Sequence, residues 1–428
     1  MSAPFLWLAA STGILSLLTP CVFPMIPVTV AYFSAEQHRR RAGFLAATLF
    51  GVGIVGTFTI LGLVLAGVFG AAGLTRFASD PTVNLALAVL FLAFAANLFG
   101  WFELRLPWRW LTAADRSASA RSRDSSLGAL MMGATFTLTS VTCTAPFVGT
   151  LLVLAAQGSW ITPIIGMFVY STAFAIPFVM LAIAPRYVAR LPRSGEWIKT
   201  LRVLIGLLEV AAAIKFVSNA DLVLGWGIFT RSVVLALWTA LAVVAAIYLS
   251  RDVARRTPVR LTAFAPGAVA LLVAVWLGTA IGGRPIRQLD AFLPPAVAAV
   301  NMAGTEVGVE SWILNDYEKA VSEARTSGKL VFVDFTGYTC TNCRWMEANI
   351  FSRPDVSAEL NRFVLARLYT DGEGPVYERQ QAFQEKSFGT VALPLYAIVD
   401  SEGKVRATFS GLTRDPLEFI RFLQRGQA

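Results

Sequence analysis

The feature that most limits how this 428-residue chain can fold is a series of apolar runs, each roughly 20 residues long, that fills it up to about residue 283 and then stops. Such a run, coiled as a helix, spans the hydrocarbon core of a bilayer. In lipid the backbone must satisfy its own polar groups, so runs of this kind become helices. Eight candidate spans result, at roughly 5–33, 43–70, 82–102, 128–156, 161–184, 201–219, 226–249 and 264–282. Composition agrees: 15% of the residues are charged, against about a quarter in soluble chains. The first run is longer than a signal-peptide core, with no basic flank before it and no small-residue cleavage pattern after it.

The net charge of +9 requires no nucleic-acid partner, because the basic residues sit in short loops between apolar runs. Arg39, Arg40 and Arg41 follow the first span, and Arg105, Arg109, Arg116, Arg121 and Arg123 the third. Arg186, Arg190, Arg193 and Lys199 follow the fifth, and Arg251, Arg255, Arg256 and Arg260 the seventh. The alternate loops carry almost none, Arg76 being the exception. Basic loops stay cytoplasmic. An even number of spans then puts both termini on the outer side, which in a bacterium is the periplasm, with the protein in the inner membrane. The single histidine, His38, reads as a solvated loop residue and leaves no His-rich metal site and no Cys/His or Ser/His catalytic pair.

The 4 cysteines occupy two unlike settings. Cys21 and Cys143 lie mid-span, in Leu18-Thr19-Pro20-Cys21-Val22-Phe23-Pro24 and Ser140-Val141-Thr142-Cys143-Thr144-Ala145-Pro146, each with proline three residues on. Two more spans follow each copy, so the second three-helix unit enters from the opposite face. That is an inverted repeat, an architecture that places a working site near the bilayer midplane between broken helices. Pro20, Pro24, Pro27 and Pro146 supply the breaks, since proline removes a helical N–H and clashes with the preceding turn. Glu209 lies near the middle of span six, where a charge is costly. It reads either as a proton acceptor in the cysteine cavity or as a protonated or hydrogen-bonded helix contact. Lys215, nearer the outer end, reads as snorkelling.

Past residue 282 the character changes. Residues 283–309, rich in proline and glycine at either end, read as a linker, and 310–428 as a separate polar domain, leaving 1–282 to the membrane. Within that domain 311–327 reads as an amphipathic helix with Trp312, Tyr317, Ala320 and Ala324 on its apolar side. Residues 329–335 read as a buried strand, and Tyr338-Thr339-Cys340-Thr341-Asn342-Cys343 follows, leading into a helix toward Ile350. A strand at 363–369, a helix at 376–388, a hairpin of 394–399 and 405–409 turned at Ser401-Glu402-Gly403, and a helix at 417–424 complete it. The order βαβα-ββα, with CxxC between the first strand and its helix, is the thioredoxin pattern.

On these residues the C-terminal domain resembles the thioredoxin fold. The membrane part resembles the transmembrane domain of the DsbD family of thiol:disulfide interchange proteins and its smaller relative CcdA. Leu18-Thr19-Pro20-Cys21-Val22-Phe23-Pro24-Met25-Ile26-Pro27 is close to that family's first-span motif, and Cys143 falls where its second membrane cysteine belongs. Asp334, six residues before Cys340, matches the buried acid of thioredoxins, and Pro394 resembles the cis-proline facing their CxxC. The resemblance implies protein-disulfide reduction, with cytochrome c maturation among its roles. Cytosolic thioredoxin would donate electrons, periplasmic disulfide proteins would accept them, and no cofactor would take part. DsbD proteins usually carry a further N-terminal periplasmic domain; here Met1 runs straight into span one, and the thioredoxin-like domain is expected either to reduce its targets itself or to use a separate carrier protein.

The chemistry expected of these residues is thiol–disulfide exchange, in which a thiolate attacks a disulfide sulfur and a neighbouring thiol resolves the mixed disulfide. Cys340, opening the active helix where free N–H groups favour a thiolate, is expected to attack, and Cys343 to resolve. Asp334 and Glu347 are candidate proton acceptors; Glu347 reads equally as a solvated helix face. Cys21 and Cys143 are expected to approach within disulfide range, their Cα atoms within about 7 Å. Two rival classes share parts of the pattern. A transporter with a soft-metal CxxC would explain the inverted repeat, and a membrane thiol oxidase would run the same cysteines in the opposite direction.

Overall fold

The computed structural model describes residues 3–18, 40–101, 128–138, 140, 161–183, 195–256, 264–284, 286, 289–294 and 312–427. The chain divides into two compact units, Met1–Leu74 with Ala93–Glu209, and Thr75–Leu92 with Val210–Ala428.

The first unit is helical over its described length apart from a turn at residues 99–101. It holds α1 (Ala3–Leu15, tightened to a 3₁₀ turn at Ser16–Leu18), most of α2 (Arg40–Ser79), the end of α3 (Pro81–Leu98), α4 (Gly128–Leu138), α5 (Ile161–Ile183) and the first half of α6 (Gly195–Leu224). α1 runs along α5, and the Ser16 hydroxyl meets the Tyr170 hydroxyl at 2.7 Å in the buried seam. An aromatic core of Phe50, Phe58, Phe136, Tyr170, Phe174 and Phe178 fills the interior. α2 and α4 touch backbone to backbone at Gly53 and Gly133, where a Cβ on either glycine would strike a carbonyl of the other helix. Small residues at such crossings are how membrane helices gain packing when lipid supplies no hydrophobic drive.

The second unit adds the α7 (Arg231–Arg256) and α8 (Ala265–Ile281) pair, which pack along each other. Large apolar side chains such as Val89 and Leu272 point outward from this unit, a face that suits lipid rather than water. Among the described residues three helical stretches are long and apolar enough to cross a membrane: Phe44–Val64, Pro81–Leu98 and Arg231–Asp252. Part of the stretch read as a linker is built into this unit. Leu289–Phe292 form a 3₁₀ turn in which Asp290 pairs with Arg231 and accepts from the Ile286 backbone N–H at 2.9 Å. Ile286 and Leu293 are buried against Val234, Leu235 and Leu277.

The polar region is a five-stranded mixed sheet of order β1-β3-β2-β4-β5. Its elements are β1 (Ile313–Leu314), α9 (Tyr317–Ser327), β2 (Val331–Thr336), α10 (Thr341–Met346), α11 (Pro354–Leu360), β3 (Val364–Tyr369), α12 (Pro375–Phe388), β4 (Leu395–Val399), β5 (Val405–Ser410) and α13 (Pro416–Gln427). β2 runs parallel to β3 and antiparallel to β4. Helix ends follow local rules: Asp316 caps α9 by accepting from the Lys319 N–H at 2.9 Å, and Gly328 closes it with φ +68°. Prolines open α11, α12 and α13.

Within the thioredoxin-like region the structure departs from the sequence reading in three places. The helix expected from residue 311 begins at Tyr317, because Asn315 turns the chain at φ +57° and Ile313–Leu314 join the sheet beside β3. The CxxC helix does not run uniformly to Ile350 but widens to a π turn at Glu347–Phe351. A short helix, α11, occupies residues left unassigned. Alternation along β2 splits its buried side chains between two cores. Val331, Val333 and Phe335 face α9 and α12, while Phe332 faces the CxxC helix with Met346, Ile350, Tyr396, Phe419 and Phe422. Asp334 therefore lies on the CxxC side of the sheet. Phe332 contacts five aromatic rings, those of Trp312, Phe351, Phe363, Tyr396 and Phe419. Phe332→Ala should lower the stability of this fold by about 3–5 kcal/mol in urea unfolding; a loss under about 1 kcal/mol would contradict the assigned core.

Candidate functional site

Cys340 and Cys343 form a disulfide with Cα atoms 5.3 Å apart. Cys340 is the N-cap of α10, and its Sγ accepts from the Cys343 N–H at 3.2 Å. Cys340 is half-buried, whereas Cys343 is 1% exposed. One sulfur is thus within reach of a partner and the other is behind it.

The loop presenting Cys340 is held by Asp371, just beyond β3. Its carboxylate accepts from the backbone N–H groups of Tyr338 at 2.7 Å and Thr339 at 3.0 Å, and from the Thr339 hydroxyl at 3.1 Å. Burial pushes the Asp371 carboxyl up, and these hydrogen bonds oppose the shift. Tyr338 stacks on Tyr369 with centroids 4.0 Å apart and meets the Tyr377 hydroxyl at 3.1 Å. Gly337 has no room for a side chain: a Cβ there would lie 2.6 Å from Asp371 Oδ2 and 3.1 Å from Leu393 Cδ1. This contact sets the CxxC loop against the Leu393–Pro394 peptide, which is cis.

Beneath the helix lies a chain of alternating charges. Asp334 accepts from Arg367 Nε at 2.9 Å, its register partner on β3. Arg367 reaches Glu347 at 3.5 Å, and Glu347 pairs with Arg344 at 2.9 Å. Arg344 also donates to the Thr336 hydroxyl at 3.0 Å, and Arg367 lies 4.1 Å from the centroid of Trp312. Burial pushes the Asp334 carboxyl up to about 6, with Arg367 opposing and Glu347 reinforcing the shift. Although burial works against its charge, Arg367 is held protonated by Glu347 and Asp334. In this pair the guanidinium keeps its proton, and the carboxylate bears the cost of leaving water.

Asp334, Glu347, Cys340, Cys343 and Pro394 all lie in this one fold. Glu209 belongs to the first unit, fully buried on α6, and neither carboxylate oxygen has a hydrogen-bond partner among the described residues. Cys21, Cys143, Pro20, Pro24 and Pro146 lie outside the described residues. Sequence reasoning missed Arg344, Arg367 and Asp371. Asp371 left one usable signal, its place just past the C-terminal end of a strand parallel to β2, where α/β folds build their sites. Arg367 left none, since its pairing with Asp334 depends on strand register.

A half-buried cysteine capping a helix, a buried partner three residues on, and a neighbouring cis-proline loop define a dithiol domain of the thioredoxin class, joined in one chain to apolar helices. The thioredoxin-like family profile matches residues 312–401. The chain belongs to the family described as cytochrome c biogenesis protein transmembrane domain, whose profile matches residues 4–220, and it is a multi-pass membrane protein. It is similar to the thiol:disulfide interchange protein DsbD of Vibrio cholerae serotype O1, 28% identical over 406 residues, covering 94% of this chain and 63% of that protein. Identity to DsbD of Haemophilus influenzae is 24% over 390 residues, covering 90% and 63%, and to DsbD 1 of Pseudomonas aeruginosa 28% over 392, covering 90% and 64%. The chain thus spans about 63% of the length of the first of these relatives.

Asp334 binds its proton more tightly in the folded protein than in the unfolded chain. Its contribution to stability is therefore present below about pH 4 and lost as pH rises through about 6. Wild type should lose on the order of 2–3 kcal/mol relative to Asp334→Asn between those limits, read from urea unfolding at each pH. Parallel pH profiles for the two proteins would contradict the placement of this acid.

Proposed function

We propose that the protein carries reducing equivalents across the bacterial inner membrane by thiol–disulfide exchange, as a protein-disulfide reductase. Cytosolic thioredoxin reduces the Cys21–Cys143 disulfide, that pair reduces Cys340–Cys343, and Cys340–Cys343 reduces disulfide proteins of the periplasm. Each transfer moves two electrons and two protons: a dithiol on one side becomes a disulfide as the disulfide on the other becomes a dithiol. The observation that supports this reading best is the unequal exposure of Cys340 and Cys343 at the start of α10. The relatives named thiol:disulfide interchange protein support it independently.

In the proposed sequence Cys340 attacks, because it is accessible and the free N–H groups of the first helical turn favour its thiolate. Cys343 then resolves the mixed disulfide and must give up a proton. Asp334, on the CxxC side of the sheet and ionised above about pH 6, is the proposed acceptor of that proton, and Glu347, 3.5 Å from the Arg367 that pairs with Asp334, is the second candidate. Thioredoxin sits near −270 mV, and an outer oxidoreductase lies on the order of 70–150 mV higher, so transfer outward is downhill by roughly 3–7 kcal/mol. No nucleotide need be spent. The proposed topology has eight crossings, with Arg39–Arg41 and the other basic loops in the cytosol and the thioredoxin-like region in the periplasm.

Cys343→Ala should accumulate mixed disulfides between Cys340 and periplasmic proteins, visible on non-reducing gels and absent from Cys340→Ala. Trapping by Cys340→Ala instead would reverse the assigned roles, and trapping by neither would remove the exchange reading.

A further inference from the structure

The second unit brings the thioredoxin-like fold onto the ends of the helices that share that unit, at two places. Arg76, at the last turn of α2, donates from Nε to the Gln381 side-chain oxygen at 2.5 Å and lies 3.9 Å from Glu378. Arg76, Ser79 and Asp80 face Asp371, Gly372 and Glu378 across a shallow cleft. At the second place the 3₁₀ turn Leu289–Phe292 lies against the CxxC helix itself.

Both receiving segments are held by contacts of their own, apart from those to the thioredoxin-like fold. Asp80 caps α3 by accepting from the Thr82 and Val83 N–H groups at 2.8 and 3.1 Å. Asn84 donates to the Ala78 carbonyl at 2.9 Å and receives a hydrogen bond from Asn219 of α6 at 3.3 Å. The 3₁₀ turn is pinned by Asp290 to Arg231 and by Ile286 and Leu293 to the α7–α8 core. The docking loop is also tied to the chemistry, because the Asp371 that borders the cleft is the carboxylate that holds Tyr338 and Thr339 beside Cys340.

We infer that Arg76–Pro81 and Leu289–Phe292 form a receptor, within the chain, for the face of the thioredoxin-like fold made by residues 371–381 and the CxxC helix, and that Arg76 is its positioning residue. Charge supports the assignment. Arg76 breaks the pattern that keeps arginine out of the outer loops, and its side chain meets the acid Glu378. Both partners are exposed, at 48% and 64%, so the ion pair is weak. A weak seat suits a domain that must return to the membrane pair, take up two electrons and two protons, and leave to deliver them. The rate test below rests on the proposed electron transfer; the crosslinking test does not.

A photo-crosslinking phenylalanine at Glu373, which is exposed beside the cleft, should capture a peptide containing residues 76–81 in the full-length membrane protein, and Arg76→Glu should lower the capture roughly three- to tenfold. After a pulse of diamide in cells, wild type should regain the Cys340–Cys343 dithiol. Arg76→Glu should slow that recovery roughly three- to tenfold, as an exposed attraction becomes a repulsion, and Arg76→Glu with Glu378→Arg should restore it to within about twofold. Reduction by dithiothreitol in detergent should be equal in all three proteins. Failure to capture residues 76–81, or recovery of Arg76→Glu at the wild-type rate, overturns the receptor. If wild type itself never regains the dithiol, the electron-transfer reading fails, and the crosslink still decides the docking.

Discussion

The thioredoxin-like site depends on one buried carboxylate. Asp371 collects three hydrogen bonds from Tyr338 and Thr339, and those bonds fix the chain as it leaves β2 and enters α10. Without them two backbone N–H groups would be stranded beside the cysteines, at a desolvation cost of about 1–3 kcal/mol each. Gly337 is required by the same contact, because Asp371 and Leu393 close the space a side chain would take. Cys340 then becomes the N-cap of the helix, half-exposed, and Cys343 follows one turn later in the core. The unequal reach of the two sulfurs is a consequence of how the loop is held.

A second constraint lies beneath the helix. Asp334, Arg367, Glu347 and Arg344 alternate in sign from the sheet to the CxxC helix, with both ends buried. Buried charge is costly unless paired, and this chain pairs each member. The remaining imbalance falls on Asp334, whose carboxyl is raised to about 6 by burial. An acid tuned to that range can exchange protons near neutral pH. The π turn at Glu347–Phe351 sits where this network leaves the helix, as such turns often do at functional sites.

Much of this was legible in the sequence because the signals were local. Apolar runs announced the helices, the valine- and phenylalanine-rich stretch announced β2, and C-x-x-C after that strand announced the redox helix. What was missed depended on register or on turn chemistry. Arg367 meets Asp334 only because β2 and β3 pair residue for residue, and β1 exists because Asn315 accepts a positive φ. The proline- and glycine-rich composition at 283–309 suggested a linker, yet Ile286, Asp290 and Leu293 are secured to α7 and α8. Buried ion pairs inside a nominal loop leave no compositional trace. Arg76, the one basic residue out of place in the loop pattern, acquired a partner only when Glu378 and Gln381 were placed beside it.

The central claim is that the membrane cysteines set the redox state of the outer pair. It is tested most directly by alkylation trapping of Cys340–Cys343 in cells carrying the wild-type protein, Cys21→Ala or Cys143→Ala. If the thioredoxin-like region faces the periplasm as proposed, the pair should be mostly reduced in wild type and oxidised in both variants, because without the membrane station only the oxidising outer compartment acts on it. The same redox state in all three strains would contradict the relay.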